Sequence, residues 1–253
     1  MRSLIIAPAE EKRLAQALAS SADGLIVDLA LAPREQRAAA RAAAARFLSQ
    51  ARARGGPALI VGVSALESGE TDADLDALMG SAPDAVLLPG SYGAASVQQI
   101  SAKLAVREAD FALPDGATRI IAVADSARGV LNLASYRNSS ARLAAIAWSA
   151  ASLRADIGAE TERDPSGAYA GAVRLARELT LLAAAAAGVA AIDAALAPLG
   201  GAERLRAEAL AARRDGFSAK LAIDPDEPRI INEAFAAAEG RPLRIRPASD
   251  TDP

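Results

Sequence analysis

RIIAVAD at 119–125 runs straight into SARGVLNLASY at 126–136, and the change of period between the two decides the fold. The first stretch is aliphatic on both faces, as a strand covered on both sides should be. The second, opened by Ser126, spaces its apolar residues as a helix does. The cadence recurs along the chain. SLIIA (3–7) precedes an amphipathic stretch from Glu10 to Ser20, and GLIVDL (24–29) precedes a helix opened by Pro33. ALIVGVS (58–64) leads to the segment from Thr71 to Met79, in which Thr71 and Asp74 have capping-box spacing. DAVLLP (84–89) precedes a helix around Ala94–Val106, and RLAAIAW (142–148) precedes a short helical turn. A long helix from about Pro165 to Ala187 leads to VAAID (189–193), and KLAI (220–223) leads to a helix near Pro228–Ala238. These β runs, each with helical residues after it, predict an α/β fold: a closed (β/α)8 TIM barrel as a single domain over 1–240. A doubly wound open sheet is the alternative, weakened because no GxGxxG follows the first strand. Residues 241–253 are polar and proline-rich and are expected to form a tail that crosses the surface or stays disordered.

Composition removes several chemistries. The 253 residues include no cysteine and no histidine, so there is no disulfide, thiol nucleophile, zinc-thiolate site or Ser-His-Asp triad. A net charge of −3, spread without basic blocks, gives no electrostatic case for nucleic acid. MRSLIIAPAEEKR has too short an apolar run for a secretory signal. LTLLAAAAAGVAAIDAALAPL (179–199) is mostly alanine and contains Asp193, which suits a buried helix leading into a strand better than a membrane span. The expected setting is the cytoplasm, with no membrane partner.

A barrel keeps its chemistry at the C-terminal ends of its strands. Those ends read Asp28, Gly62, Ser64, Gly90, Asp125, Ser126, Ser149, Ser152, Asp193 and Asp224, with Arg128 and Lys220 nearby. Carboxylates there suit Mg2+, a cation that takes hard oxygen ligands. Each aspartate has a plainer alternative. Asp125, before Ser126-Ala127-Arg128, is equally suited to helix capping. Asp224, before Pro225, is better suited to a turn, and Asp193 equally to a loop.

Five collinear segments make the pattern specific. RSLIIAPA (2–9), ADGLIVDL (22–29), DSARGVLNL (125–133), AIAWSAASLRADIGA (145–159) and GFSAKLAIDPDEPRIINEAF (216–235) resemble, in order, segments of the citrate lyase β-subunit family within the HpcH/HpaI aldolase group. The resemblance implies a Mg2+-assisted carbon–carbon lyase acting on citryl- or malyl-type CoA thioesters. It also implies metal held by a glutamate after the fifth strand and an aspartate after the sixth, and a third-strand arginine on the substrate carboxylate. In this sequence those positions are Asp125, Ser152 and Gly62; the Glu-Asp that supports the metal waters is Ala30-Leu31, and the family's fourth-strand Pro-Lys is Pro89-Gly90. The histidine of its Ile-His-Pro is Asp224. The expectations are therefore catalytic roles for Asp28, Lys220 and Asp224, substrate contacts from Arg2, Ser64 and Arg128, and Mg2+ at Asp125 and Ser152 that is weak or lost. The partner is a small carboxylate or acyl-CoA, and the chain is a homo-oligomer on the family's trimeric pattern. A degraded lyase site and a non-catalytic paralogue that binds an acid or acyl-CoA, or serves in assembly, both remain open.

Overall fold

The aliphatic runs become strands and close on themselves. The computed structural model describes residues 1–196, 201–236 and 242–245. Strands β1 (Ser3–Pro8), β2 (Gly24–Asp28), β3 (Ala58–Gly62), β4 (Ala85–Leu88), β5 (Arg119–Ala124), β6 (Leu143–Trp148), β7 (Ala190–Asp193) and β8 (Ala219–Ala222) follow one another around a closed parallel barrel. Closure is made by β1, which pairs with β2 on one side and with β8 on the other, Ser3 opposite Lys220 and Ile5 opposite Ala222. The chain is thus a single (β/α)8 domain, and the open-sheet alternative falls.

Alternation along the strands separates two apolar layers. Leu4, Ile26, Ile60, Leu87, Ile121, Val123, Ile192 and Leu221 form the inner cluster. Their neighbours Ile5, Leu25, Val27, Leu59, Val61, Val86, Ile120 and Ile146 pack outward against the helices. The helices are α1 (Glu11–Leu18), α2 (Arg37–Arg54), α3 (Thr71–Leu78), α4 (Ala94–Asp110), α5 (Ala127–Leu131), α6 (Ala150–Asp156), α7 (Gly171–Ala187), α8 (Gly201–Asp215) and α9 (Glu227–Ala234).

Local expectations meet the structure unevenly. Thr71 and Asp74 do not box the start of α3. The Thr71 hydroxyl donates to Ser64 O and Ala65 O, and Asp74 accepts from Ser64 N at 2.7 Å and Arg41 Nε at 2.7 Å, so the pair ties α3 to the end of β3. The long helix begins at Gly171, not near Pro165. Upstream, Asp164 closes a tight turn by accepting from Ser166 N at 2.9 Å, and Arg163 bridges to Tyr169.

The surface path expected for the tail is corrected by two side chains within it. Leu243 and Ile245 are 1% and 4% exposed and join the inner cluster. Leu243 O accepts from the Met1 ammonium at 3.0 Å, which places this segment at the N-terminal floor of the barrel. The physical reason is volume. The inner cluster takes only alanine from β6 (Ala145, Ala147), while β7 and β8 add Ala190 and Ala219, and a close-packed interior needs atoms from elsewhere. The boundary at 240/241 and residues 246–253 lie outside the described residues. Leu243→Ala is expected to cost about 2–5 kcal/mol in urea unfolding. Arg244→Ala, exposed on the same segment, should stay within about 0.5 kcal/mol.

Candidate functional site

The C-terminal ends of β2, β3, β4 and β5 carry the mouth. Asp28 and Asp125 continue the inward-facing series of Ile26 and Val123, so both carboxylates belong to the barrel interior side. Neither is free. Asp28 Oδ1 accepts from Ala30 N at 2.8 Å, and Asp125 Oδ2 accepts from Gly90 N at 2.8 Å. Asp125 does not cap its own helix. Ser126 does that, accepting from Gly129 N at 3.2 Å, while Asp125 fastens the β4–α4 loop to β5. Burial pushes both acids up: for Asp28 against the Ala30 amide and Arg37, for Asp125 against the Gly90 amide and reinforced by Asp156.

Gly62 lies opposite Asp28 in the β2–β3 ladder. A methyl group there would sit 2.7 Å from Asp28 Oδ1 and 3.0 Å from its Cα. The aspartate occupies the space that any side chain at 62 would need. Ser152, exposed in the first turn of α6, receives a hydrogen bond from the Ser149 hydroxyl at 2.9 Å, and Ser149 accepts from Ser152 N as the helix cap. Among the described residues no three Asp or Glu side chains come together in a way that could hold a metal ion. Of the donors expected for Mg2+, Asp125 is the one carboxylate, and Ser152 offers a neutral hydroxyl.

Three expected site residues lie elsewhere or do other work. Arg2 precedes β1, at the barrel end opposite the mouth, and pairs with Asp23 at 3.6 Å. Lys220 is 0% exposed and alternates with inward Ala219 and Leu221, which turns it outward between barrel and helices. There its Nζ donates to Asp193 Oδ2 at 3.0 Å and Ala194 O at 2.6 Å, contacts that tie β8 to β7. Asp224 is exposed and forms the turn its neighbouring proline suggests, accepting from Asp226 N at 3.0 Å. It borders a cavity of about 340 Å³ with Arg13, Leu196, Leu205 and Ile230, outside the Asp28–Asp125 mouth.

Asp193 is no loop residue. It also accepts from Trp148 Nε1 at 2.9 Å and Arg177 Nε at 3.0 Å, joining β6, β7, β8 and α7. Burial opposes its ionisation, but Lys220 and then Arg177 outweigh it and hold the carboxyl below the usual range.

Arg128 stays at the rim, its guanidinium 4.4 Å from the centre of the Tyr92 ring and 3.4 Å from Glu67 Oε1. Burial, and then Glu67, push the Tyr92 phenol up. Ser64 is buried, and its hydroxyl accepts from Arg37 Nη1 at 2.5 Å. Tyr92, Glu67 and Arg37 were not singled out by sequence. Tyr92 sits in PGSYG directly after a strand, a loop signal that could have marked it. Arg37 carries no comparable signal within the arginine-rich α2.

Barrel, mouth and strand-end acids together define an aldolase-like α/β barrel. The HpcH/HpaI aldolase/citrate lyase family model matches residues 2–225, and the chain belongs to that family. It is 30% identical over 185 residues to a citrate lyase subunit beta of Leuconostoc mesenteroides subsp. cremoris, covering 73% of this chain and 60% of that protein. The citrate lyase beta subunit of Mycobacterium tuberculosis complexed with oxaloacetate and magnesium superposes with a TM-score of 0.77 at 29% identity, covering 92% of this chain and 96% of that one. CitE of the same organism, in complex with magnesium, acetoacetate and coenzyme A, gives 0.77 and 29% over 94% and 82%.

Two stability measurements test these assignments. Lys220→Met leaves Asp193 buried with one cation fewer and should cost about 3–5 kcal/mol at pH 7. Because the Asp193 carboxyl is depressed in the fold, its contribution is present above the usual carboxylate range and vanishes as pH falls through the folded value. The opposite holds for Asp28, whose carboxyl is raised: its ionisation destabilises the fold above the folded value, and that penalty disappears below about pH 4. Asp28→Asn should therefore raise the thermal midpoint at pH 7, with the gain shrinking as pH is lowered.

Proposed function

We propose that the barrel mouth binds a small carboxylic acid, free or as its CoA thioester, and that Mg2+-assisted carbon–carbon cleavage by the two-carboxylate route is lost or strongly slowed. One observation carries this. Asp28 and Asp125, the strand-end acids that continue the inward-facing series, each give one oxygen to a backbone amide, and the third oxygen donor, Ser152, receives the Ser149 hydroxyl. Mg2+ would supply charge stabilisation for an enolate-like leaving group, and these side chains are poorly placed to hold it. Loss of a single such stabiliser of a transition state already slows an enzyme about 10²–10³-fold. Binding of an acid is supported by the relatives, whose complexes contain oxaloacetate, acetoacetate and coenzyme A.

An active lyase is the second reading. What favours it is family membership together with inward placement of both Asp28 and Asp125. The setting we propose is cytoplasmic. Self-association as a homo-oligomer, a trimer on the family's pattern, is proposed with it, since Leu131 (82% exposed), Leu175 and Leu182 leave apolar surface on α5 and α7. No helix among the described residues is long and apolar enough to cross a membrane.

Calorimetry with millimolar Mg2+ and assay of acetyl-CoA release from citryl- or malyl-CoA test the proposal. Weak or no metal binding and turnover at least about 10²-fold below an ordinary enzyme rate are expected. Tight stoichiometric Mg2+ binding with ordinary turnover would revive the lyase. Asp125→Glu with Ser152→Asp should tighten Mg2+ binding by adding carboxylate oxygens. Gly62→Arg cannot join them without displacing Asp28.

A further inference from the structure

Arg37, the first residue of α2, folds back over the ends of β2 and β3. Its Nη1 donates to Ser64 Oγ at 2.5 Å and its Nη2 to Ala32 O at 3.2 Å. Ser64 is itself fixed, its amide on Asp74 at 2.7 Å and its carbonyl under the Thr71 hydroxyl at 3.0 Å. Asp74 is fully buried and is held in turn by Arg41 at 2.7 Å. The guanidinium is thus positioned in advance by groups anchored to the scaffold.

Two features of Arg37 have no use in the fold. Its Nε is buried and has no hydrogen-bond partner, a state that native proteins rarely leave without a reason. Both partners of its terminal nitrogens are neutral oxygens, so its charge is not cancelled by either. The nearest mouth acid, Asp28, feels that charge but is bound instead to Ala30 N, and no ion pair joins it to Arg37. Nη1 and Nη2 each keep one N–H beyond these bonds, and a planar guanidinium so equipped is the side chain best matched to a carboxylate. The other cation of the mouth is poorly matched. Arg128 lies over the Tyr92 ring, pairs with Glu67 and is largely exposed, where its field is screened.

We infer that Arg37 receives the carboxylate of the ligand bound at the mouth; this rests on the acid-binding proposal above. Held by Ser64 and Ala32, it sets both the position and the charge requirement of that ligand.

The test is calorimetric titration with acetoacetate and with methyl acetoacetate, its uncharged counterpart. Wild type is expected to bind the acid and not the ester. Arg37→Met should weaken acetoacetate at least tenfold, about 1.4 kcal/mol. Arg37→Gln, which keeps an N–H for Ser64 but no charge, should lose as much, and it decides the matter if the methionine variant does not fold by circular dichroism. Arg34→Met, with its side chain 82% exposed just before α2, should stay within about threefold of wild type, since a screened surface charge contributes little. Wild-type affinity in a folded Arg37 variant overturns the assignment and leaves acid binding standing. A wild type that binds neither acetoacetate nor an acyl-CoA overturns both.

Discussion

The placing of β8, which closes the barrel against β1, is the constraint on which the mouth depends, and buried charge ties that strand to β6 and β7 from outside the barrel. The Asp193 carboxylate takes the Trp148 indole and Arg177 on one oxygen and Lys220 on the other. One side chain thereby fixes three consecutive strands and the helix that covers them. Arg177 extends the grip to Asp215 at 2.7 Å and lies 4.6 Å over the Phe217 ring. Such a network is costly to desolvate and costlier to break, because each partner removed leaves a charge in a medium that cannot hydrate it.

At the mouth, electrostatics has been turned to a different use. Acids that could present lone pairs to a cation instead accept backbone amides: Asp28 from its own loop, Asp125 from the β4–α4 loop, Asp156 from Ala127 at 2.7 Å. Each bond orders a loop and occupies one of the two oxygens of its carboxylate. Among the described residues this leaves a mouth rich in fixed dipoles and poor in convergent charge.

The barrel was legible because eight aliphatic runs alternate with helical ones, a signal that survives any single misplaced boundary. The same feature hid which way each side chain faces. Strands apolar on both sides have no inward–outward contrast, so KLAI could not reveal that Lys220 turns away from the mouth. The end of the barrel that Arg2 occupies was hidden for a related reason: it belongs to the recognisable opening segment, and that segment enters the barrel at the floor. Asp224 was legible as a turn because Pro225 restricts the backbone locally. Arg37 was not, since its importance depends on a 27-residue separation from Ser64 that no local pattern encodes. Leu243 and Ile245 were concealed in the same way, two apolar residues within a polar segment whose partners are the inner strands.

The overlap between Asp28 and the space above Gly62 makes the two positions a coupled pair for any redesign of the mouth. A side chain introduced at 62 meets a carboxylate and a backbone Cα at once, so a single substitution there must shift β2 as well as itself. Substitutions at 28 and 62 are therefore expected to depart from additivity when combined.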